Sequence, residues 1–373
     1  MQDNYLRGKR RKKRRKKSEN GTLIGSIILC LVTLASITIT LVMVFKCRSI
    51  QMENTVVMNE LEAIRMDEQM TYTQGEVDAL IANAVTTAKD ETSEEVSDEF
   101  LGKMKDFMIS GEGTTAMLRY FFPDEIVVAD AGQYYFFPIS SEIAHHTYDL
   151  NQFALDDEGI LGYYANGNVI SHKGIDVSKY QGEVDWEKVA GDDVEYAFIR
   201  LGIRGYTEGE ILEDDNFEDN INGALDNDID VGVYFFTQAT SVEEAEEEAG
   251  YVLDAIEPYS VKYPVVLDIE AVSNSKARTA DLTKEERTEY CIAFCEKIRE
   301  AGYTPMIYGN LKTFMLLLDL EQLEEYDKWI AYYSDEIYYP YAFKVWQYSD
   351  TGTVDGITGN VDLNISFEDL ADE

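Results

Sequence analysis

The stretch "YPVVLDIE" (Tyr263–Glu270) carries an apolar run behind a proline and then two carboxylates two positions apart. A short apolar run bounded by Pro reads as a buried strand. Alternate residues of a strand share a face, so Asp268 and Glu270 point to the same side. A buried strand has no structural reason to end on two acids, so something at that end uses them.

The same pattern recurs on both sides of this stretch. Strands are expected at "GIDVS" (174–178), "EYAFIRLG" (195–202), "DVGVYFFTQA" (230–239), "YPVVLDIE" (263–270) and "TPMIYGN" (304–310). Helical segments are expected at about 183–191, 215–227, 241–257, 281–301 and 311–325. Three strands then follow with short connections: "KWIAYYS" (328–334), "FKVWQYS" (343–349) and "VDLNISF" (361–367). Strands alternating with helices imply a parallel sheet, and eight of them suggest closure. The expected fold class is α/β: an irregular barrel of five β/α units plus three strands, over residues 173–371. An open doubly wound sheet is the alternative, but it leaves the aromatic late strands hard to place.

Charge divides the chain. Residues 1–48 hold twelve Lys/Arg and two Asp/Glu, whereas the remainder holds 20 basic and 69 acidic residues. So acidic a body repels phosphate, and no nucleic-acid partner is expected. The basic stretch "RGKRRKKRRKK" (Arg7–Lys17) precedes an uncharged run, Thr22–Phe45. About 20 apolar residues span a bilayer core, and Lys/Arg excess marks the cytoplasmic side. The expectation is a basic cytoplasmic tail (1–21) and a retained transmembrane signal-anchor helix (22–45), with everything after it outside the cell membrane. An acidic helical stalk (46–111) follows, with Val77, Leu80, Ile81, Ala84, Val85 and Ala88 on one helix face. Residues 112–172, with "IVVADAGQYYFFPIS" and "ILGYYANGNVIS", read as a small module of β-hairpins. Cys30 lies in the expected span and Cys47 at its edge, and Cys291 and Cys295, four apart on a helix, read as small core residues.

Functional groups of a β/α barrel gather at the carboxyl ends of its strands. Those ends carry Asp176; Tyr234 and Phe236; Asp268 and Glu270; Tyr308 and Asn310; Tyr332; Trp346, Gln347 and Tyr348; and Asp362. Crowded carboxylates cannot all ionise, so one is held protonated and can act as an acid. Aromatic faces suit the apolar faces of sugar rings, and the combination points to cleavage of a glycosidic bond. Taken singly, each feature has a plainer reading: Asp176 as a turn cap, the D-x-E pair as a helix cap, the aromatics as core. The only histidines are His145, His146 and His172, which excludes a His-based nucleophile or His-ligated zinc within 174–373. No cofactor and no metal are expected.

The stretches "KGIDVSKYQGEVDW", "DVGVYFF", "YPVVLDIE", "PMIYGN", "WIAYY" and "VWQYSDTGTVDGITGNVDLN" resemble glycoside hydrolase family 25, the Chalaropsis-type lysozymes, over about 174–367. The resemblance implies a barrel of five β/α units and three strands that cleaves the β-1,4 bond between N-acetylmuramic acid and N-acetylglucosamine, so its partner is peptidoglycan. It makes Glu270 the general acid and Asp268 its electrostatic partner, with Asp176 and Asp362 completing the acidic cluster. Many members read G-x-Y-H-F in the third strand, where this chain has Phe235 for His. A non-catalytic wall-binding scaffold and a hydrolase of another N-acetylated glycan are the rival readings.

Overall fold

All eight strands expected after residue 172 are present in the computed structural model, with their ends displaced by at most three residues. They are β1 (His172–Val177), β2 (Tyr196–Arg204), β3 (Asp230–Phe236), β4 (Val265–Asp268), β5 (Pro305–Asn310), β6 (Asp327–Ala331), β7 (Val345–Gly352) and β8 (Val361–Ser366). The structure describes residues 70–73, 75–77, 79, 83, 94–110, 113–272, 274 and 276–372. The expected basic tail, the transmembrane helix and most of the expected stalk lie outside the described residues, and among these no helix is long and apolar enough to cross a membrane.

Hydrogen bonding runs β3–β4–β5–β6–β7–β8–β1–β2, and β2 pairs back to β3, so the sheet closes into a barrel of mixed α/β type. Neighbours from β1 to β7 in chain order are parallel, whereas β8 is antiparallel to both β7 and β1. Connection length accounts for this. A parallel crossover needs a dozen or more residues, and the link from Gly352 to Val361 is shorter. The reversal has a chemical consequence: the first residues of β8 lie at the carboxyl end of the others, with Asp362 opposite Asp176.

Tyr196, Phe198, Val266, Met306, Tyr308, Trp329 and Val345 fill the barrel interior. Phe198 and Trp329 stack at 4.5 Å, so the middle of the barrel is solid aromatic packing. Gly232 makes room for it: a Cβ there would lie 2.4 Å from the Phe198 ring and 2.8 Å from the Pro264 carbonyl oxygen.

The outside of the barrel is covered in two ways. Helices α1 (Trp186–Gly191), α2 (Phe217–Asp226), α3 (Val242–Ile256) and α4 (Lys284–Glu300) follow β1 to β4. Side-chain caps start α3 at Ser241 and α4 at Thr283, where Glu286 closes a capping box. The helix expected at 311–325 is reduced to a π turn, Thr313–Leu317, and turns. Phe314, Met315, Leu318, Leu320 and Leu323 are all buried, and irregular chain lets each find the core where one helical stripe would not.

Among the described residues, no α-helix follows β6 or β7 in the chain. The β-hairpin module covers them instead, and its Ile126, Val128, Phe137 and Leu161 belong to the same hydrophobic core as Trp346, Tyr348 and Phe343. The module contains a helix (Gly113–Phe121), the hairpin Glu125–Asp130/Gln133–Pro138 and a small sheet of Phe153–Leu155, Leu161–Ala165 and Asn168–Val169. Its tight turns, Ala131–Gly132 and Asn166–Gly167, have positive φ at both residues, the geometry that matches hairpin twist. Polar contacts fix the docking. Arg119 Nη1 donates to Tyr332 Oη at 2.6 Å, Leu161 N–H to Tyr348 Oη at 3.3 Å, and Tyr148 Oη–H to the Phe343 carbonyl at 2.8 Å. Of the expected stalk, Glu94–Ser110 is helical, but Met70–Thr73 is a strand and Val77 is buried beside Leu118 and Val127. Part of that segment therefore packs with the module.

Candidate active site

The period-two alternation of each strand decides which side chains reach the cleft. On β8, Asp362 and Asn364 share the inner face; on β7, Gln347 does; on β1, Asp176 does. These four meet. Gln347 Nε2 and Asn364 Nδ2 each donate to Asp176 Oδ2 at 2.8 Å, and Asp362 shares a hydrogen bond with Asp176. Gln347 Oε1 accepts from Tyr308 Oη at 2.8 Å and from Tyr333 Oη at 3.2 Å. Asn364 Oδ1 accepts from Trp329 Nε1 at 2.8 Å. That bond fixes the amide so that its NH₂ faces Asp176.

Burial raises the pKa of Asp176 above its ordinary value, and the hydrogen bonds from Asn364, Gln347 and Asp362 offset part of that rise. The pKa of Asp362 is raised as well. Burial, and next the charge of Asp176, raise its pKa to about 8, so at neutral pH it is the protonated partner that donates to Asp176.

Asp268 ends β4 beside Tyr308 of β5 and Phe236 of β3. It is buried, and its Oδ1 has no hydrogen-bond partner among the described residues. Burial first, then the charges of Glu270 and Asp176, push its pKa well above the ordinary carboxylate range, and Arg200 pulls it back. Glu270 stands two residues on, at the mouth. Water reaches it, yet protein surrounds enough of it that desolvation, and then the charge of Asp176, raise its pKa. The capping alternative finds no support at Asp268. It does describe Asn310, whose Oδ1 accepts from Thr313 N–H at 3.0 Å.

Three expected cleft residues lie elsewhere. Trp346 and Tyr348 flank Gln347 on the opposite face of β7 and pack in the core shared with the module; Trp346 Nε1 donates to the Tyr332 carbonyl at 2.7 Å. Tyr332 is held by Arg119 of the module. All three point outward because outward is where the module buries them. Tyr234 lines the aromatic interior, 6.2 Å from Trp329, and Phe236 shares its face, half-buried. Phe235, standing where a His is common, is buried on the outer face, 6.3 Å from Tyr251 of α3.

Residues not anticipated from sequence complete the site. Arg200, two positions beyond Phe198 on the inner face of β2, pairs with Asp214 at 2.6 Å and lies 4.9 Å from the Tyr180 ring centroid. Tyr180 and Tyr333 are exposed aromatics at this end. Period-two counting from Trp329 reaches Tyr333, not Tyr332, and counting from Asp362 reaches Asn364.

A family profile described as glycosyl hydrolases family 25 matches residues 175–357. Protein YegX of Escherichia coli (strain K12) is 32% identical over 204 residues, which cover 52% of this chain and 68% of that protein. The chain belongs to glycosyl hydrolases family 25. It is a glycoside hydrolase, and the matched span contains Asp176, Asp268 and Glu270, with Asp362 five residues beyond it. The autolytic lysozyme of Clostridium acetobutylicum is 26% identical over 193 residues, covering 52% of this chain and 55% of that protein. Among solved structures, the modular autolysin LytC from Streptococcus pneumoniae, in complex with synthetic peptidoglycan ligand, is 23% identical with a TM-score of 0.48. That comparison covers 65% of this chain and 57% of LytC.

Proposed function

We propose that the family 25 barrel is a peptidoglycan hydrolase that cleaves the β-1,4 bond between N-acetylmuramic acid and N-acetylglucosamine, with Glu270 as general acid. The observation that carries this reading is Asp268: a buried carboxylate with an oxygen that no described residue satisfies, beside an accessible acid of raised pKa. An unpaired buried acceptor costs stability, so its use lies in a partner that arrives with the substrate. The N–H of a 2-acetamido group is such a partner. Held by Asp268, the acetamido oxygen attacks the anomeric carbon while Glu270 protonates the leaving oxygen, a substrate-assisted route outside the two-carboxylate scheme. Tyr180 and Tyr333 offer ring faces at the mouth. Digestion of purified peptidoglycan by the full chain, with mass spectrometry of the new reducing ends, tests the bond. Reducing-end N-acetylmuramic acid is expected; reducing-end N-acetylglucosamine overturns it. A scaffold would release neither.

The pH profile of kcat/KM follows from the cluster. Activity requires Glu270 protonated, so its ionisation sets the alkaline limb. The negative charge of Asp176 raises that pKa, so Asp176→Asn should move the alkaline limb to lower pH. Asp362, protonated up to about pH 8, is no such neighbour, and an Asn amide keeps a donor towards Asp176; Asp362→Asn should leave the limb nearly in place. Equal shifts in both variants would mean that the proton is not divided this way. The limbs belong to the coupled cluster, not to single residues.

Residues 1–45 are proposed to anchor the chain in the cell membrane, with the amino terminus cytoplasmic and the barrel outside. The charge asymmetry and the uncharged Thr22–Phe45 run support this. Protease added to wall-stripped cells is expected to remove the barrel while a cytosolic control survives; survival of both would refute the orientation.

A further inference from the structure

A cavity of about 390 Å³ lies between the module and the barrel, beside the cleft. Three threads place it. Ser334 of its wall follows Tyr333, which bonds Gln347. Ser349 lies two residues after Gln347 and pairs with Leu363, the neighbour of Asp362. Asp350, next to Ser349, is close enough for its charge to raise the pKa of Asp362. The outer wall is the module's turn at 156–160.

The wall has a definite chemistry. Glu158 and Asp335 supply negative charge, Ser349 and Thr351 supply hydroxyls, and the buried Tyr348 and Leu363 supply an apolar floor. The turn that carries Glu158 is ordered by its own bonds. Asp156 Oδ1 accepts from the N–H groups of Glu158 and Ile160, each at 2.9 Å, and the Asp156 N–H donates to the Ile160 carbonyl at 3.0 Å. Gly159, at φ +82°, allows the return. The backbone at Glu158 is therefore fixed by the turn, and its side chain is exposed.

We propose that this cavity is a binding site for a peptide that carries a lysine-type side chain, the peptide stem that peptidoglycan carries on the sugar next to the scissile bond. The inference rests on the proposed substrate. The proposal places the peptide substituent of a glycan held in the cleft beside Asp362. Hydroxyls there meet peptide amides, the floor takes the alkyl part of a diamino-acid side chain, and Glu158 and Asp335 take its ammonium. The module thereby adds a specificity contact to the catalytic barrel, besides covering β6 and β7.

The test compares kcat/KM of the full, detergent-solubilised chain on glycan strands that carry lysine-containing stems with that on strands stripped of peptide. Wild type is expected to favour the peptide-bearing strands. In the double variant Glu158→Gln, Asp335→Asn that preference should fall by about three- to tenfold, the size expected of partly solvated ion pairs, with turnover of stripped strands unchanged. The loss should shrink in high salt. A preference equal in wild type and variant overturns the proposal, as does an equal loss on both substrates. Binding of free alanyl-glutamyl-lysine and its Nε-acetylated form, followed by chemical-shift changes, separates this from the hydrolase reading. If the tripeptide binds and acetylation weakens it while no strand is cleaved, the hydrolase reading fails and the site stands; equal binding of both forms ends the proposal.

Discussion

Glu270→Gln is expected to abolish turnover while leaving the fold intact. Glutamine keeps the volume and removes the proton that the leaving oxygen needs; loss of a positioned general acid costs on the order of 10²–10⁴ in rate. Glu270 stands at the cleft mouth, outside the packed interior, so the denaturation midpoint should hardly move. Binding of a soluble glycan fragment should persist, because the ring faces of Tyr180 and Tyr333 are untouched. The measurements are kcat/KM on glycan fragments, the denaturation midpoint and fragment affinity on one preparation. Activity within tenfold of wild type would remove Glu270 from the acid role; lost affinity would make it a binding residue instead.

How far the site was legible follows from one property of strands, that a shift of one residue exchanges the faces. At "VDLN" and "VVLDIE" the sequence sets acids against Leu and Ile, so parity is plain, and the reading puts Asp362, Asp268 and Glu270 on one side. At "VWQY" and "AYY" it is not plain. Trp, Gln and Tyr all suit a sugar cleft, and nothing local says which alternate faces in. The deciding fact is remote: the module is the outer cover of β6 and β7, so Trp346, Tyr348 and Tyr332 are drawn outward by Leu161, Phe153 and Arg119. Gln347 and Tyr333 are left inside. The same remoteness hid the role of residues 112–172, whose hairpins were legible from their turns but whose partner was not. Arg200 was concealed differently: nothing in the apolar run "YAFIRLG" tells what its one cation meets, which its pairing with Asp214 shows.

Asp268 separates a catalytic carboxylate from a structural one most sharply, because substitution should move activity and stability in opposite directions. In the folded chain its pKa is raised, chiefly by burial, so the native state holds the proton more tightly than the unfolded chain does. By linkage, the stability this contributes is complete below the unfolded pKa of about 3.9 and is lost as pH rises towards the folded value. At neutral pH the protein therefore carries a destabilising, poorly compensated acid. Asp268→Asn removes the titration and keeps the volume. The variant should be more stable than wild type by roughly 0.5–2 kcal/mol near pH 8, with little difference near pH 4. Its activity should fall on the order of 10²–10³, the usual cost of losing one charged contact to a developing transition state. Urea denaturation at the two pH values, paired with kcat/KM, measures both. A variant equally or less stable at pH 8 would mean that Asp268 is satisfied in the native protein by a contact outside the described residues. The substrate-assisted role argued from its unpartnered oxygen would then lose its basis.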